Sequence, residues 1–267
     1  MSETPEIYPL ARDEAESRRL NEQHKLLVDF VEGPIDRSVP LENTTAVADV
    51  ATGTGIWLWD ARKMLVDRAG ESLRYFHGFD ISPAQFPPAP EGIELTVQDI
   101  FKPFSVEHHN RYDLVNARLL AVQNLLTILK PGGYLHWVEI DFSAMATNNP
   151  KAAQVTDAWL KFCGLNKLSR CAPEAILKAY RSAGLVNIVN RPFLPCNRED
   201  ILERLQKWQL QFYQSVMPLI LLKTGQVADN DAASKRASEL LRDLELFYAE
   251  GNIVDTRFSV LIGQKPT

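Results

Sequence analysis

The stretch Ala46 to Trp57, reading Ala-Val-Ala-Asp-Val-Ala-Thr-Gly-Thr-Gly-Ile-Trp, constrains this chain more than any other. Ala46, Val47, Ala48 and Val50 form a short apolar run suited to a strand buried on both faces. The run stops abruptly at small residues. Ala51, Gly53 and Gly55 lack the bulk that would hold a ligand off the backbone, and glycine accepts the positive φ that a tight turn needs. Ile56, Trp57, Trp59, Ala61 and Leu65 then permit a helix, whose first N–H groups point at whatever lies over the loop.

Two classes of cofactor use such a turn, and spacing separates them. A dinucleotide fold wants Gly-x-Gly-x-x-Gly. Here Ala51, Gly53 and Ile56 occupy those positions, so two of its three glycines are missing. The pattern Asp49-x-Ala51-x-Gly53-x-Gly55 instead resembles the first motif of class I S-adenosylmethionine (SAM) methyltransferases, acidic-x-Gly-x-Gly-x-Gly, with Ala51 in the first glycine position.

The chain of 267 residues is long enough for one large domain, or for a core with an added cap. Its 29 Lys and Arg against 34 Asp and Glu argue against a nucleic acid as main partner. Cys163, Cys171 and Cys196 have no metal-ligand spacing and read as core or surface thiols in a reducing, cytoplasmic or nuclear setting. No apolar run reaches the roughly 18 residues of a membrane span, and no signal-peptide pattern opens the chain. A soluble protein is expected.

Before the first strand, Asp13 to Val31 reads as a helix, with Leu20, Leu27 and Val31 on one face and Gly33-Pro34 ending it. Such a helix can cover the mouth of a cofactor site. His24 reads as a helix-surface or half-buried histidine in preference to a ligand contact. Together, Tyr8-Pro-Leu, Arg19-Leu20-Asn21-x-Gln23-His24 and Asp49 to Trp57 resemble the fungal LaeA-like methyltransferases of secondary metabolism. The resemblance implies a Rossmann-like, doubly wound α/β sheet of seven strands with the last antiparallel. It also implies SAM as cofactor, a helical N-terminal cap over residues 1–40, and a methyltransferase domain over 41–267 with lid helices near 145–170 and 199–250.

Ser72 to Asp80 reads as the second strand, ending in a carboxylate. In a doubly wound sheet an acid there lies beside the cofactor ribose. The proline-rich run Ala84 to Pro90 excludes helix and reads as a surface connection. Ile93 to Val97 alternates as a third strand, with Gln98-Asp99-Ile100 at its end; the resemblance gives Asp99 the adenine amino group and Ile100 the ring, although Asp99 reads equally as a turn residue. Arg111 to Arg118 reads as the fourth strand and delivers Asn116 and Arg118 to the cleft, with Asn116 where the family usually has His. Leu119 to Leu129 allows one helix of about three turns before Lys130-Pro-Gly-Gly133, and a fifth strand follows from Tyr134 to Asp141. That connection is shorter than the family's usual one, so a flap over the active site is expected to be missing. The crossover still closes, since a βαβ connection needs only about 10–12 residues.

Asn148 to Leu165 and Pro173 to Ala183 read as helices, and the segment from Gly184 to Phe193 as strand six. Glu199 to Leu222 reads as an amphipathic helix broken near Pro218, Asp231 to Ala249 as another, and Thr256 to Gly263 as the closing strand. The apolar surface of Glu199 to Leu222 exceeds one sheet-covering stripe and reads equally as an apolar substrate pocket or a dimer face. A small, largely apolar metabolite is the expected substrate. An unactivated hydroxyl nucleophile would need a base; Glu139, Asp141 and His136 are the candidates, with His24 and Tyr213 behind them. No metal site is expected. The competing readings are a regulatory protein that keeps this fold and acts through partner proteins, and, behind it, a nicotinamide-dependent oxidoreductase.

Overall fold

A computed structural model describes residues 13–69, 74–87, 92–118 and 124–267. The expectations for Tyr8-Pro-Leu, for the start of strand two, for the end of the proline-rich run and for residues 119–123 lie outside the described residues.

Among the described residues, seven strands and seven α-helices follow one another along the chain. They are α1 (Glu14–Phe30), β1 (Ala46–Val50), α2 (Ile56–Ala69), β2 (Tyr75–Asp80), β3 (Glu94–Val97), β4 (Tyr112–Arg118), α3 (Leu125–Ile128), β5 (Leu129–Asp141), α4 (Pro150–Leu165), α5 (Ala172–Ser182), β6 (Val186–Phe193), α6 (Leu202–Lys223), α7 (Asn230–Ala249) and β7 (Arg257–Gln264). The strands form one sheet in the order β3-β2-β1-β4-β5-β7-β6. β1 pairs in parallel with β2 and β4, and β2 with β3, whereas β7 runs antiparallel to β5. This is the doubly wound, Rossmann-like fold expected, with the chain reversing its winding direction between β1 and β4.

The chain divides into two compact units, residues 1–136 with 262–267, and residues 137–261. In the first, β1 is buried at every residue, as a strand covered on both faces must be. Leu58, Leu65, Phe79, Leu114 and Val115 are fully buried beside it. α1 begins where Asp13 accepts a hydrogen bond from Glu16 N, a side-chain cap of the kind that starts helices. In the second unit, α4, α6 and α7 bury one apolar cluster built on Val155, Trp159, Tyr213, Met217, Leu240 and Leu244. Asn149 caps α4 and Asp229 caps α7 in the same way. Among the described residues, no helix is long and apolar enough to cross a membrane.

Two local expectations need correction. α6 is continuous through Pro218: proline removes one N–H bond, and the burial of Tyr213, Met217, Ile220 and Leu221 on both sides of it holds the helix together. Lys130-Pro-Gly-Gly133 belongs to β5 and does not precede it. Gly132 (φ 79°) donates to Lys265 O at 2.8 Å and Lys265 N donates to Gly133 O at 2.9 Å, so the segment's backbone bonds go to the strand partner. The described part of the helix expected before it is a single turn, α3.

Candidate functional site

The turn after β1 carries three alternate residues in the left-handed region: Ala51 (φ 58°), Gly53 (φ 53°) and Gly55 (φ 73°). Glycine takes this conformation freely, but at Ala51 it costs about 1–2 kcal/mol. Thr52 N donates to Phe79 O at 2.9 Å, fastening the turn to the end of β2. There the Asp80 carboxylate accepts from Gly53 N through Oδ2 at 2.9 Å and from Ser82 N through Oδ1 at 3.1 Å. A carboxylate offers about four lone-pair positions, so about two remain for a ligand. Asp80 therefore stands at the glycine turn, as its position at the end of β2 implies.

The space over the turn is defined by what a side chain at position 53 would meet. A Cβ there would approach Leu20 Cδ1 at 3.7 Å and Gln85 Oε1 at 4.0 Å, with no backbone in reach. At Gly78 the reason for glycine differs. A Cβ would fall 2.6 Å from Leu95 Cδ2 and 2.7 Å from Thr52 Cγ2, so this glycine lets β2, β3 and the turn pack together. A cradle that a Cβ at position 53 would fill, beside a carboxylate with spare acceptor capacity, fits an adenosyl cofactor.

α1 closes on this turn, as expected of a helix preceding the first strand. Leu20 lies over Gly53, Asn21 Oδ1 accepts from Thr54 Oγ1 at 2.6 Å, and His24 Nε2 meets Asp60 Oδ2 of α2 at 2.8 Å. Positions 20, 21 and 24 share one helix face. His24, only 1% exposed, is thus a buried clamp, more enclosed than the helix-surface or half-buried histidine expected. The Asn21 and Gln85 contacts had no spacing signal in the sequence, because both depend on chain segments meeting across the fold.

Asp49 and Asn116 differ from expectation. Asp49 Oδ2 accepts from Thr52 Oγ1 at 2.8 Å and Oδ1 from Asn116 Nδ2 at 2.7 Å, and Asn116 Oδ1 lies 2.8 Å from His136 Nδ1. An amide oxygen only accepts, so His136 Nδ1 carries the proton. These side chains are buried and form a polar chain from the turn into β5. Asn116, expected at the cleft, is fully buried within that chain because Asp49 and His136 flank it. Arg118 ends β4, but its side chain lies outside the described residues. Asp99 Oδ1 accepts from Phe101 N at 3.0 Å, the turn-capping alternative, and Ile100 beside it is buried.

The base candidates separate by environment. His136 is 1% exposed and bonded to Asn116. Asp141 Oδ1 accepts from Ser143 N at 2.8 Å, capping the turn after β5. Glu139 is 7% exposed; it accepts from Ile140 N at 2.9 Å and Trp137 Nε1 at 3.2 Å. Burial raises its pKa above the ordinary carboxylate value, against the opposing pull of those two donors. Tyr213, fully buried in the second unit, has its hydroxyl pKa pushed far up by burial, which removes it as a base near neutral pH. All three cysteines are free, and burial raises the Cys163 thiol pKa to about 11. Among the described residues no cluster of His, Cys, Asp or Glu is arranged to hold a metal.

No family model matches the chain. Methyltransferase grgD of a Penicillium species is 34% identical over 214 residues, 72% of this chain and 74% of that protein. The chain belongs to the same family of fungal methyltransferases as grgD. The secondary metabolism regulator laeA of Aspergillus niger is 26% identical over 242 residues, 80% of this chain and 61% of its own length. Two fungal N-methyltransferases match over about half their own length. Phosphoethanolamine N-methyltransferase 2 of Haemonchus contortus, solved with S-adenosyl-L-methionine, is similar in fold at a TM-score of 0.51 and 15% identity. That likeness covers 92% of this chain and 53% of the solved one. The protein is a methyltransferase, and its fold is the class I fold.

Proposed function

We propose that this methyltransferase transfers a methyl group to a small, largely apolar metabolite. The observation carrying the cofactor side is the Asp80 carboxylate bonded to Gly53 N at 2.9 Å at the glycine turn. Asp80 would grip the ribose hydroxyls, and the backbone of Ala51, Gly53 and Gly55 would receive the amino-acid end. Asp99 and Ile100 would border the adenine. Asp49 and Asn116 act through the turn, holding Thr52 and His136 in place. When bound, SAM supplies an electrophilic methyl group on a sulfonium, and the transfer is an in-line displacement. The protein contributes alignment and the exclusion of water.

For a hydroxyl, or for an amine that must first lose the proton of its ammonium form, Glu139 is the proton acceptor we favour. Burial brings its pKa upward toward the working pH, the direction a general base requires. The apolar substrate rests on the second unit. There Trp159 is ringed by Phe142, Phe162 and Phe212 at centroid distances of 5.3, 5.9 and 5.1 Å. The buried Trp159 Nε1 and Tyr213 hydroxyl have no hydrogen-bond partner among the described residues. Incubation with methyl-labelled SAM and an extract of metabolite-producing cells should place label in a small organic-soluble product. Absence of labelled product, together with stable copurification of a partner protein, would favour the regulatory reading, which rests on the likeness to laeA.

A further inference from the structure

The connection after β2 holds a side chain whose polar end is unaccounted for. Gln85 closes a short 3-10 turn, Pro83 to Gln85. The turn's conformation is set from several directions: Asp80 Oδ1 accepts from Ser82 N at 3.1 Å, Ser82 Oγ accepts from Ala84 N at 3.3 Å, and Phe86 N donates to Pro83 O at 3.0 Å. Pro83 fixes one φ in advance. So held, the Gln85 amide reaches over the glycine turn, with Oε1 4.0 Å from where a Gly53 Cβ would stand. Its Nε2 is fully buried and has no hydrogen-bond partner among the described residues. A buried donor left unsatisfied is costly, and native structures hold few of them.

We infer that Gln85 is a cofactor-recognition residue, its Nε2 donating to a sugar hydroxyl oxygen of the adenosyl cofactor while the Asp80 carboxylate accepts a hydroxyl proton. This rests on the assignment of Asp80 to the ribose. A hydroxyl both donates and accepts. A carboxylate alone satisfies only its proton, whereas a carboxylate beside an amide N–H satisfies both functions. The same turn positions both groups, because Asp80 also anchors Ser82, at the start of the segment that carries Gln85.

The test is calorimetric titration with S-adenosylhomocysteine, paired with thermal melting of the ligand-free protein. Gln85→Met keeps the length of the side chain and removes its donor. The affinity of this variant should fall about three- to tenfold, the worth of one neutral hydrogen bond. Its ligand-free melting temperature should hold or rise, since no protein bond is lost. A 2′,3′-dideoxy analogue of the same titrant should erase the difference between variant and wild type. Gln85→Glu, which turns the donor into a second acceptor beside Asp80, should lose more. A residue that merely supports the turn would instead lower the melting temperature and leave the dideoxy comparison unchanged, which would overturn the inference. Unchanged affinity in Gln85→Met, with affinity lost in Asp80→Asn, would overturn the role of Gln85 and leave the ribose assignment standing. A wild-type protein that fails to bind the titrant would overturn both.

Discussion

Acid should unfold this protein earlier than its carboxylates alone require, and one ring accounts for much of the effect. His77, on β2, is 2% exposed. Its Nε2 lies 2.8 Å from Thr96 Oγ1, and its Nδ1 lies 2.7 Å from the Tyr75 hydroxyl, which itself donates to Glu94 at 2.6 Å. Phe79 stacks on the ring at 4.1 Å. Burial lowers the pKa of His77 from 6.5 to about 4, helped by His108 and Arg111 and opposed by Glu94. The unfolded chain therefore takes up this proton before the folded one does. The resulting stability is fully present above pH 6.5 and is lost as the pH falls toward 4. At pH 5 the difference between the two titrations amounts to about 2 kcal/mol, and to about 1 kcal/mol once solvent relaxation around the ring is allowed for. Urea unfolding of wild type and His77→Gln between pH 7.5 and 5 measures it. The variant should lose about 1–2 kcal/mol less than wild type over that interval. A residual slope should remain, because burial lowers the pKa of His108 as well. Parallel slopes in the two proteins would refute the reasoning.

Two backbone substitutions probe the cradle. Ala51→Gly relieves the left-handed strain at φ 58° but gives the unfolded chain more freedom, so a net gain of less than about 1 kcal/mol is expected in thermal melts; a loss would contradict the strain argument. Gly78→Ala sets a Cβ against Leu95 and Thr52. It should cost about 1–3 kcal/mol and weaken S-adenosylhomocysteine binding as Thr52 shifts; wild-type melting and affinity would show that the turn yields more readily than its packing implies.

The parts of this fold that were legible in the sequence are those decided locally. Asp13, Asn149 and Asp229 cap helices whose starts could be read within a residue or two, since a capping side chain and an apolar stripe are contiguous signals. The acid at the end of β2 was readable for the same reason. What escaped depends on distant partners. Lys130 to Gly133 looks like a turn until β7 supplies its hydrogen bonds, and Pro218 looks like a break until packing on both sides carries the helix past it. Asp49 and Asn116 point toward a ligand in one dimension, yet the pairing of β1 with β4 puts them opposite one another, where each satisfies the other. Gln85 lay inside a proline-rich connection that the pattern marked only as surface.

The carboxylate of Asp80 and the turn at Gly53 together make the proposed cofactor site. Calorimetry with S-adenosylhomocysteine on wild type and Asp80→Asn tests it most directly, with circular dichroism confirming that both are folded. Wild type should bind, and the variant should lose about 1.5–3 kcal/mol of affinity, the worth of a hydrogen bond to a charged acceptor. Equal affinity in two folded proteins would contradict the account.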